Sequence, residues 1–396
     1  MALASLGFMT RTGGYTTTLA NKLDKIDCSQ VLDAVLLADR AILGHIKMGK
    51  AGTTIEHNWI EDELNQPYFY AKNGTTLKLT LVSVIATAQV SKNLRKYAIV
   101  QKEGSEGLMQ ITSTFANTLT YAVYGNSTMP AKSSTTAKFF VVAQPYTDIA
   151  DASEDISKAR SKRMNFMQIF ERAIQITKTR QNMDMEAVVN ELQMQIERRT
   201  MEIKRELNIS VLRGRAYYNS GFSGRIERST MMGIEGYIFD PDMDGTDEKT
   251  LAVQASAALT QALINTLCYQ IYDAGGLGEG SDPIMVVGPK QQRIISGMEK
   301  ELRRVEAGEK KIGYYKDVFL TDLGIEIPVV IDRWCSNDKL IVLDRSKIAL
   351  VPMQGDSWGM EKMAKTGRND KWQLSGQYTL EMRYADKVHG CLYDLS

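Results

Sequence analysis

His57-Asn58-Trp59-Ile60-Glu61-Asp62-Glu63-Leu64 is the stretch on which the reading of this 396-residue chain turns. Taken alone, its Trp-x-x-Asp-x-Leu pattern at Trp59, Asp62 and Leu64 would occur by chance in many proteins. The order of the landmarks downstream of it is the stronger signal. A Thr/Leu/Val-rich β segment comes next, then Asn165-Phe166-Met167-Gln168-Ile169-Phe170 leading into an alternating strand. After it come a long charged helix stopped by Gly214, the segment Arg228-Ser229-Thr230-Met231-Met232-Gly233-Ile234-Glu235-Gly236, and a late run from Trp358 to Leu380 that holds Thr366-Gly367 and Thr379-Leu380.

In kind and order these landmarks, from roughly residue 55 to 380, resemble the major capsid proteins of tailed phages with the Hong Kong 97-type fold. The resemblance implies an α+β chain in five parts. They are an N-terminal arm and short helix (1–54), an extended loop (55–182) with a β-rich insertion at about 75–145, a spine helix with the peripheral domain (183–249), an axial domain (250–345), and a return to the peripheral and axial sheets (346–396). It also implies a structural protein and no enzyme. Such a chain self-assembles into hexamers and pentamers, a homo-oligomeric icosahedral or prolate head that encloses double-stranded DNA without reading its sequence. Portal, scaffolding and decoration proteins are the implied partners, the host cytoplasm the place of assembly, and the virion the destination. Some relatives cross-link subunits through a Lys and an Asn helped by a carboxylate, but no motif match assigns that trio here. The alternatives are the shell of an encapsulin-like nanocompartment and a cytoplasmic α/β enzyme.

Composition sets looser bounds. With 43% hydrophobic and 24% charged residues the chain has ordinary globular content, enough for one large core or two to three ordinary ones. Cys28, Cys268, Cys335 and Cys391 lie far apart with no C-x-x-C spacing, which reads as reduced thiols and neither a disulfide framework nor a zinc site. The N-terminus lacks a basic stretch ahead of its short apolar run, and no run of about 18 apolar residues occurs anywhere, so neither a signal peptide nor a membrane span is expected. No removable scaffold segment is evident at the N-terminus, so little or no cleavage is expected there.

A net charge of +1 fits a container better than a DNA reader, which carries a basic stripe or tail. One local bias stands out from Lys158 to Arg215, where thirteen Lys or Arg face seven Asp or Glu. Two readings stand for it, a solvated helix face and an inner-surface patch near packaged DNA.

Along the chain, the first 30 or so residues, with Gly13-Gly14 and Thr16-Thr17-Thr18, read as an extended arm. Val31, Leu32, Val35, Leu36 and Ile42 recur at helical spacing up to Gly44. Between Thr75 and Val142, short β-type runs (Leu77, Leu79 and Leu81 in alternation, then Ala98 to Val100, Leu108 to Thr112, Leu119 to Tyr124 and Phe139 to Val142) predict a small antiparallel sheet or barrel, at the tip of the loop or on the outer surface. Met185 to Arg213 is the clearest helix, about 43 Å long, with a narrow apolar stripe; a coiled coil is the competing reading. Farther on, an Ala-rich helix (Leu251 to Asp273), a buried strand (Ile284 to Val287), a helix opened by Gly288-Pro289, and strands over Ile325 to Ile331 and Leu340 to Leu343 alternate in an α/β manner.

Four tempting motifs fail on chemistry. Gly44-x-x-x-x-Gly49-Lys50 lacks the Ser or Thr that holds magnesium, since Ala51 comes next, and it stands after a helical pattern. Asp240-x-Asp242-x-Asp244-Gly245 matches half a calcium loop, but its twelfth position is Leu251 where a bidentate Glu belongs, so it reads as an acidic turn. Gly275-Gly276-Leu277-Gly278-Glu279-Gly280 follows a helix and precedes a strand, the wrong order for a dinucleotide fingerprint, and reads as a mobile loop, which the resemblance would place near a capsomer pore. His45, His57 and His389 are the three histidines, without a His-x-x-x-His pair or a Gly-x-Ser-x-Gly turn. No catalytic, cofactor-binding or metal-binding residue is assigned, and no cofactor is implied.

Overall fold

The computed structural model describes residues 42–73, 78–81, 94, 96–115, 118–125, 133–145, 160–179, 191–219, 228–243, 251–298, 318–365 and 367–396. They divide into two units, one of residues 1–58 with 164–396 and one of residues 59–163. The helix expected before Gly44 lies outside the described residues except at its end, where Ile42–Gly44 makes a single 3-10 turn.

Two short strands come first, β1 (Lys47–Met48) and β2 (Glu56–Glu61). Six more come next: β3 (Tyr68–Asn73), β4 (Lys78–Leu81), β5 (Ile99–Lys102), β6 (Leu108–Phe115), β7 (Thr118–Val123) and β8 (Ser133–Ala143). These close into a barrel in the order β3-β4-β7-β6-β5-β8. Alternation drives closure: Phe69, Ala71, Leu79, Leu81, Val100, Met109, Ile111, Leu119, Tyr121 and Phe139 all point into one core, and a closed sheet leaves no edge unpaired. Each β-type run read from the sequence overlaps one of these strands. β3 was not anticipated, because three aromatics in a row, Tyr68-Phe69-Tyr70, mask the period of two.

β9 (Ser161–Phe166) pairs with β2. β10 (Gln168–Thr177) alternates buried and exposed positions along its length, as read from the sequence. Helix α1 (Glu191–Arg213) ends before Gly214 as expected. Residues 185–190 of the expected helix lie outside the described ones. The buried positions of α1, Ile203, Leu207, Asn208, Val211 and Leu212, all belong to its second half; among the described residues its first half is at most half-buried. The short hairpin β11 (Tyr217–Asn219) and β12 (Arg228–Thr230) leads to α2 (Ile234–Phe239), every residue of which is buried.

The remaining elements are β13 (Ala252–Ala257), α3 (Gln261–Asp273), β14 (Pro283–Val287), α4 (Pro289–Gly297), β15 (Val318–Leu320), β16 (Glu326–Ile331) and β17 (Leu340–Asp344). After them come β18 (Ile348–Pro352), β19 (Gly359–Lys362), β20 (Asn369–Met382) and β21 (Gly390–Leu395). One sheet runs β1-β18-β20-β10, with β19 also on β20; the other runs β13-β21-β17-β14-β16-β15. The second sheet packs Met285, Val287, Ile327, Leu340, Val342 and Leu392 against Ile264, Leu267, Ile271 and Ile295 of α3 and α4.

Two expectations are corrected. The segment taken as the start of an Ala-rich helix is strand β13, which pairs in parallel with β21; the helix begins only after Thr260, whose hydroxyl accepts the Leu263 N–H. A free sheet edge overrides the helix preference of Ala. The Gly275 to Gly280 loop, expected to be mobile, is anchored at Gly276 and Leu277: Leu277 is buried in the core and a Cβ on Gly276 would lie 2.6 Å from Ile271, whereas Gly278, Glu279 and Gly280 are exposed.

His389, fully buried, links the two ends of this arrangement. Its Nδ1 accepts the Asp344 N–H at 3.2 Å and its Nε2 lies 3.2 Å from the Arg383 carbonyl, a pairing that fits the neutral ring with the proton on Nε2. Burial pushes its pKa down from 6.5 to about 4. The unfolded chain then binds the proton more readily than the folded one. The contribution to stability is complete above about 6.5 and declines as pH falls toward 4, by about 2 kcal/mol at pH 5. Urea unfolding at pH 7 and pH 5 should show this extra acid loss, and His389→Gln should remove it; an identical pH response in both proteins would refute the assignment.

Candidate assembly surfaces

The Trp59 to Leu64 stretch shows how a motif can mix internal and external duties. Trp59 is buried, and its indole N–H donates to Glu61 Oε1 at 3.0 Å. Glu61, also buried, faces Arg163 at 3.4 Å, so a charge enclosed at the root of the inserted unit is matched. Asp62 meets Arg160 at 3.1 Å in solvent, a pair worth little energetically. Leu64 is 94% exposed and Ile60 66%. Trp59 therefore serves the fold, while Leu64 is left exposed by the described residues.

In the larger unit, His57 Nε2 lies 2.9 Å from Glu381 Oε2, and Arg383 holds the other oxygen. The hydrogen bond with His57 is the main reason the Glu381 carboxyl lies below its ordinary 4.5, against the opposing effect of burial. Arg172 of β10 reaches Glu206 at 2.6 Å and Glu202 at 3.7 Å, bracing α1 on the sheet. Asp332, fully buried, accepts from the Ile42 and Trp334 N–H groups and from Asn208 Nδ2, so it fixes the start of the described chain to α1.

Between α1 and the β1 edge lies a cavity of about 600 Å³, lined by Leu43, Ile46, Met48, Leu207, Leu350 and Trp358 among others. Met48 is 60% exposed at its rim. The lining is mostly apolar, with Lys204 and Tyr378 among its polar members, and suits packing.

The motifs weighed in the sequence fall apart in space or are put to structural use. Gly49 and Gly52 donate to the Leu350 and Pro352 carbonyls along the sheet edge, so the near-P-loop is edge strand and its flank. Asp240 caps α2, and Asp244 lies outside the described residues. Among the described residues no group of three or more His, Cys, Asp or Glu is placed to hold a metal ion, and no helix is long and apolar enough to cross a membrane. Cys268, Cys335 and Cys391 are buried free thiols; burial pushes the first two up to about 12, far from reactive thiolates. Cys28 lies outside the described residues.

No curated protein sequence matches the chain. Solved structures do. The capsid asymmetric unit of cyanophage A-1(L) superposes with a TM-score of 0.55 at 10% identity, covering 94% of this chain and 98% of that one. The capsid of an empty GTA particle gives 0.53 at 8%, covering 97% and 100%. The capsid of cyanophage P-SCSP1u gives 0.51 at 9%, covering 95% and 94%. At such identities the likeness establishes the fold, that of phage capsid subunits. The family model described as SU10 major capsid protein matches residues 11–396, and the chain belongs to that family of phage head proteins.

Proposed function

We propose that copies of this chain close into rings of five and six that join into an icosahedral or prolate shell around double-stranded DNA, assembled in the host cytoplasm. The family match over residues 11–396 carries the reading. Leu64, 94% exposed at the motif position of the loop root, is the contact this reading offers to another copy. The half-covered helix α1 and the apolar cavity beside β1 support the same view, since ring closure needs two different patches that meet head to tail. In this reading the sheet ending at β15 is the axial domain, the sheet holding β20 is the peripheral domain, and the barrel lies on the outer surface. Portal, scaffolding and decoration proteins complete the head, and no catalytic step is involved. A net charge of +1 suits an enclosure that holds duplex DNA without binding its sequence.

The test is electron microscopy of the protein expressed alone and with the neighbouring genes of its source genome. Shells, tubes or rings of five and six support the proposal, and dispersed small particles under every condition contradict it. Leu64→Asp should cut the yield of closed particles at least tenfold while leaving the unfolding temperature of dispersed subunits unchanged. Normal particle yield from that variant would remove Leu64 from the interface.

A further inference from the structure

The near-neutral net charge conceals a basic module. From residue 65 to 145 eight Lys or Arg face only Glu103 and Glu106, a surplus of six, so the rest of the chain carries a net charge of −5. None of the six barrel strands contains Asp, Glu or Arg. Their positive charge is lysine alone.

The register places those lysines in a band. Tyr70 lies opposite Lys138, Lys72 opposite both Thr136 and Thr80, and Lys78 opposite Thr120. Side chains two apart on a strand share a face, so Lys138, Lys72 and Lys78 run diagonally across β8, β3 and β4, each step about 7 to 8 Å. At one end of that diagonal stands an exposed aromatic group. Tyr68 packs edge to face on Tyr70 at 5.9 Å and on Phe140 at 6.3 Å, and Lys138 lies over the Tyr68 ring at 4.1 Å. Tyr70 is 41% exposed, Phe140 37%, and Val142 beside them 52%.

We propose that this outer β8-β3-β4 face of the barrel binds an anionic polysaccharide of the kind that coats bacterial cells. The proposal rests on the outer placement of the barrel proposed above. Lysine is depleted from protein-protein contacts, whereas a band of Lys, Thr and Tyr suits a polyanion. Duplex DNA would meet the lysines and make no use of the rings. Single strands need open ring faces for successive bases, but these rings are edge to face and Lys138 already lies over two of them, Tyr68 and Phe140. With no arginine on the strands there is no bidentate fork for phosphate or a base edge. A sugar polymer has spaced negative charges for the lysines and apolar C–H surface for Tyr70, Phe140 and Val142.

The experiment measures binding of the full chain to polygalacturonate, with neutral dextran and duplex DNA in parallel, across a range of salt. Polygalacturonate should be retained and dextran not. Tyr70→Ala with Phe140→Ala should weaken binding at least fivefold without altering its salt dependence, and Lys72→Glu with Lys78→Glu should weaken it at least tenfold and flatten that dependence. All four side chains point outward, so unfolding temperatures should match the parent; Lys72→Gln with Lys78→Gln gives the same test with a smaller charge change. No retention of polygalacturonate overturns the proposal, as does DNA binding of equal strength that ignores the ring variants. Dispersed chain that binds while intact particles do not supports the chemistry of this face and overturns the outer placement of the barrel.

Discussion

Gly233→Ala is expected to destabilise the larger unit by at least about 3 kcal/mol and to leave little soluble chain. The backbone of Gly233, at φ −95° and ψ 178°, is open to any residue, so the cost is not conformational. It is contact. A Cβ there would stand 2.6 Å from the Gly214 nitrogen, 2.6 Å from the Ser210 carbonyl oxygen and 2.8 Å from the Val211 carbonyl oxygen. All three are backbone atoms at the end of α1, which cannot swing aside as a side chain would. Gly214 is held in the same way, its own Cβ position pressed against Ser210 O and 2.6 Å from Met231 O, and the Gly233 N–H donates to Gly214 O at 3.0 Å. The two glycines let the end of the helix and the Met231 to Gly233 segment touch main chain to main chain. Gly278→Ala is the control. Nothing lies within 4 Å of its Cβ position, and lost freedom in the unfolded chain should stabilise the protein by up to about 1 kcal/mol. Soluble yield and urea midpoints of the two variants decide the matter. Equal midpoints would mean that the close approach is not a feature of the folded protein.

That contact also shows why some of the architecture was readable in the sequence and some was not. Gly214 was legible as a helix stop and Met231 to Gly236 as a landmark, yet neither pattern says that one glycine touches the other. Such proximity arises only when the chain is folded back on itself. Alternation in β10 and β16 was legible because each strand buries one face on a core, which writes a period of two into the residue types. In β13 the sequence favours helix locally, and the outcome was set by an edge of β21 supplied from almost 140 residues away. Ring surfaces were the least legible part. Leu64 could be named from its motif but not distinguished from Trp59, since both are apolar and only folding separates the buried residue from the exposed one. The basic barrel was missed for a different reason: its surplus of six is cancelled in the total by acids elsewhere.

Asn165 shows the same logic carried to a single buried side chain, and its replacement by leucine should cost about 3 to 5 kcal/mol. Every hydrogen-bonding site of this amide is used. Its Nδ2 donates to the Leu380 carbonyl at 2.7 Å and to the Met232 carbonyl at 3.1 Å; its Oδ1 accepts the Phe166 and Met232 N–H groups at 2.8 Å each. Three separate stretches of main chain, the β9 end, the segment before α2 and β20, are thus joined through one residue with no exposed surface. Leucine has a similar volume and would leave those four backbone groups without their partner in a place water does not reach. Asn165→Asp should be worse still, because a carboxylate would turn two donors into negative acceptors aimed at carbonyl oxygens. The ranking parent, Leu, Asp in unfolding midpoint at pH 7 separates this account from a simple packing role. If packing alone mattered, Asp, the closest in shape to Asn, would be the milder change.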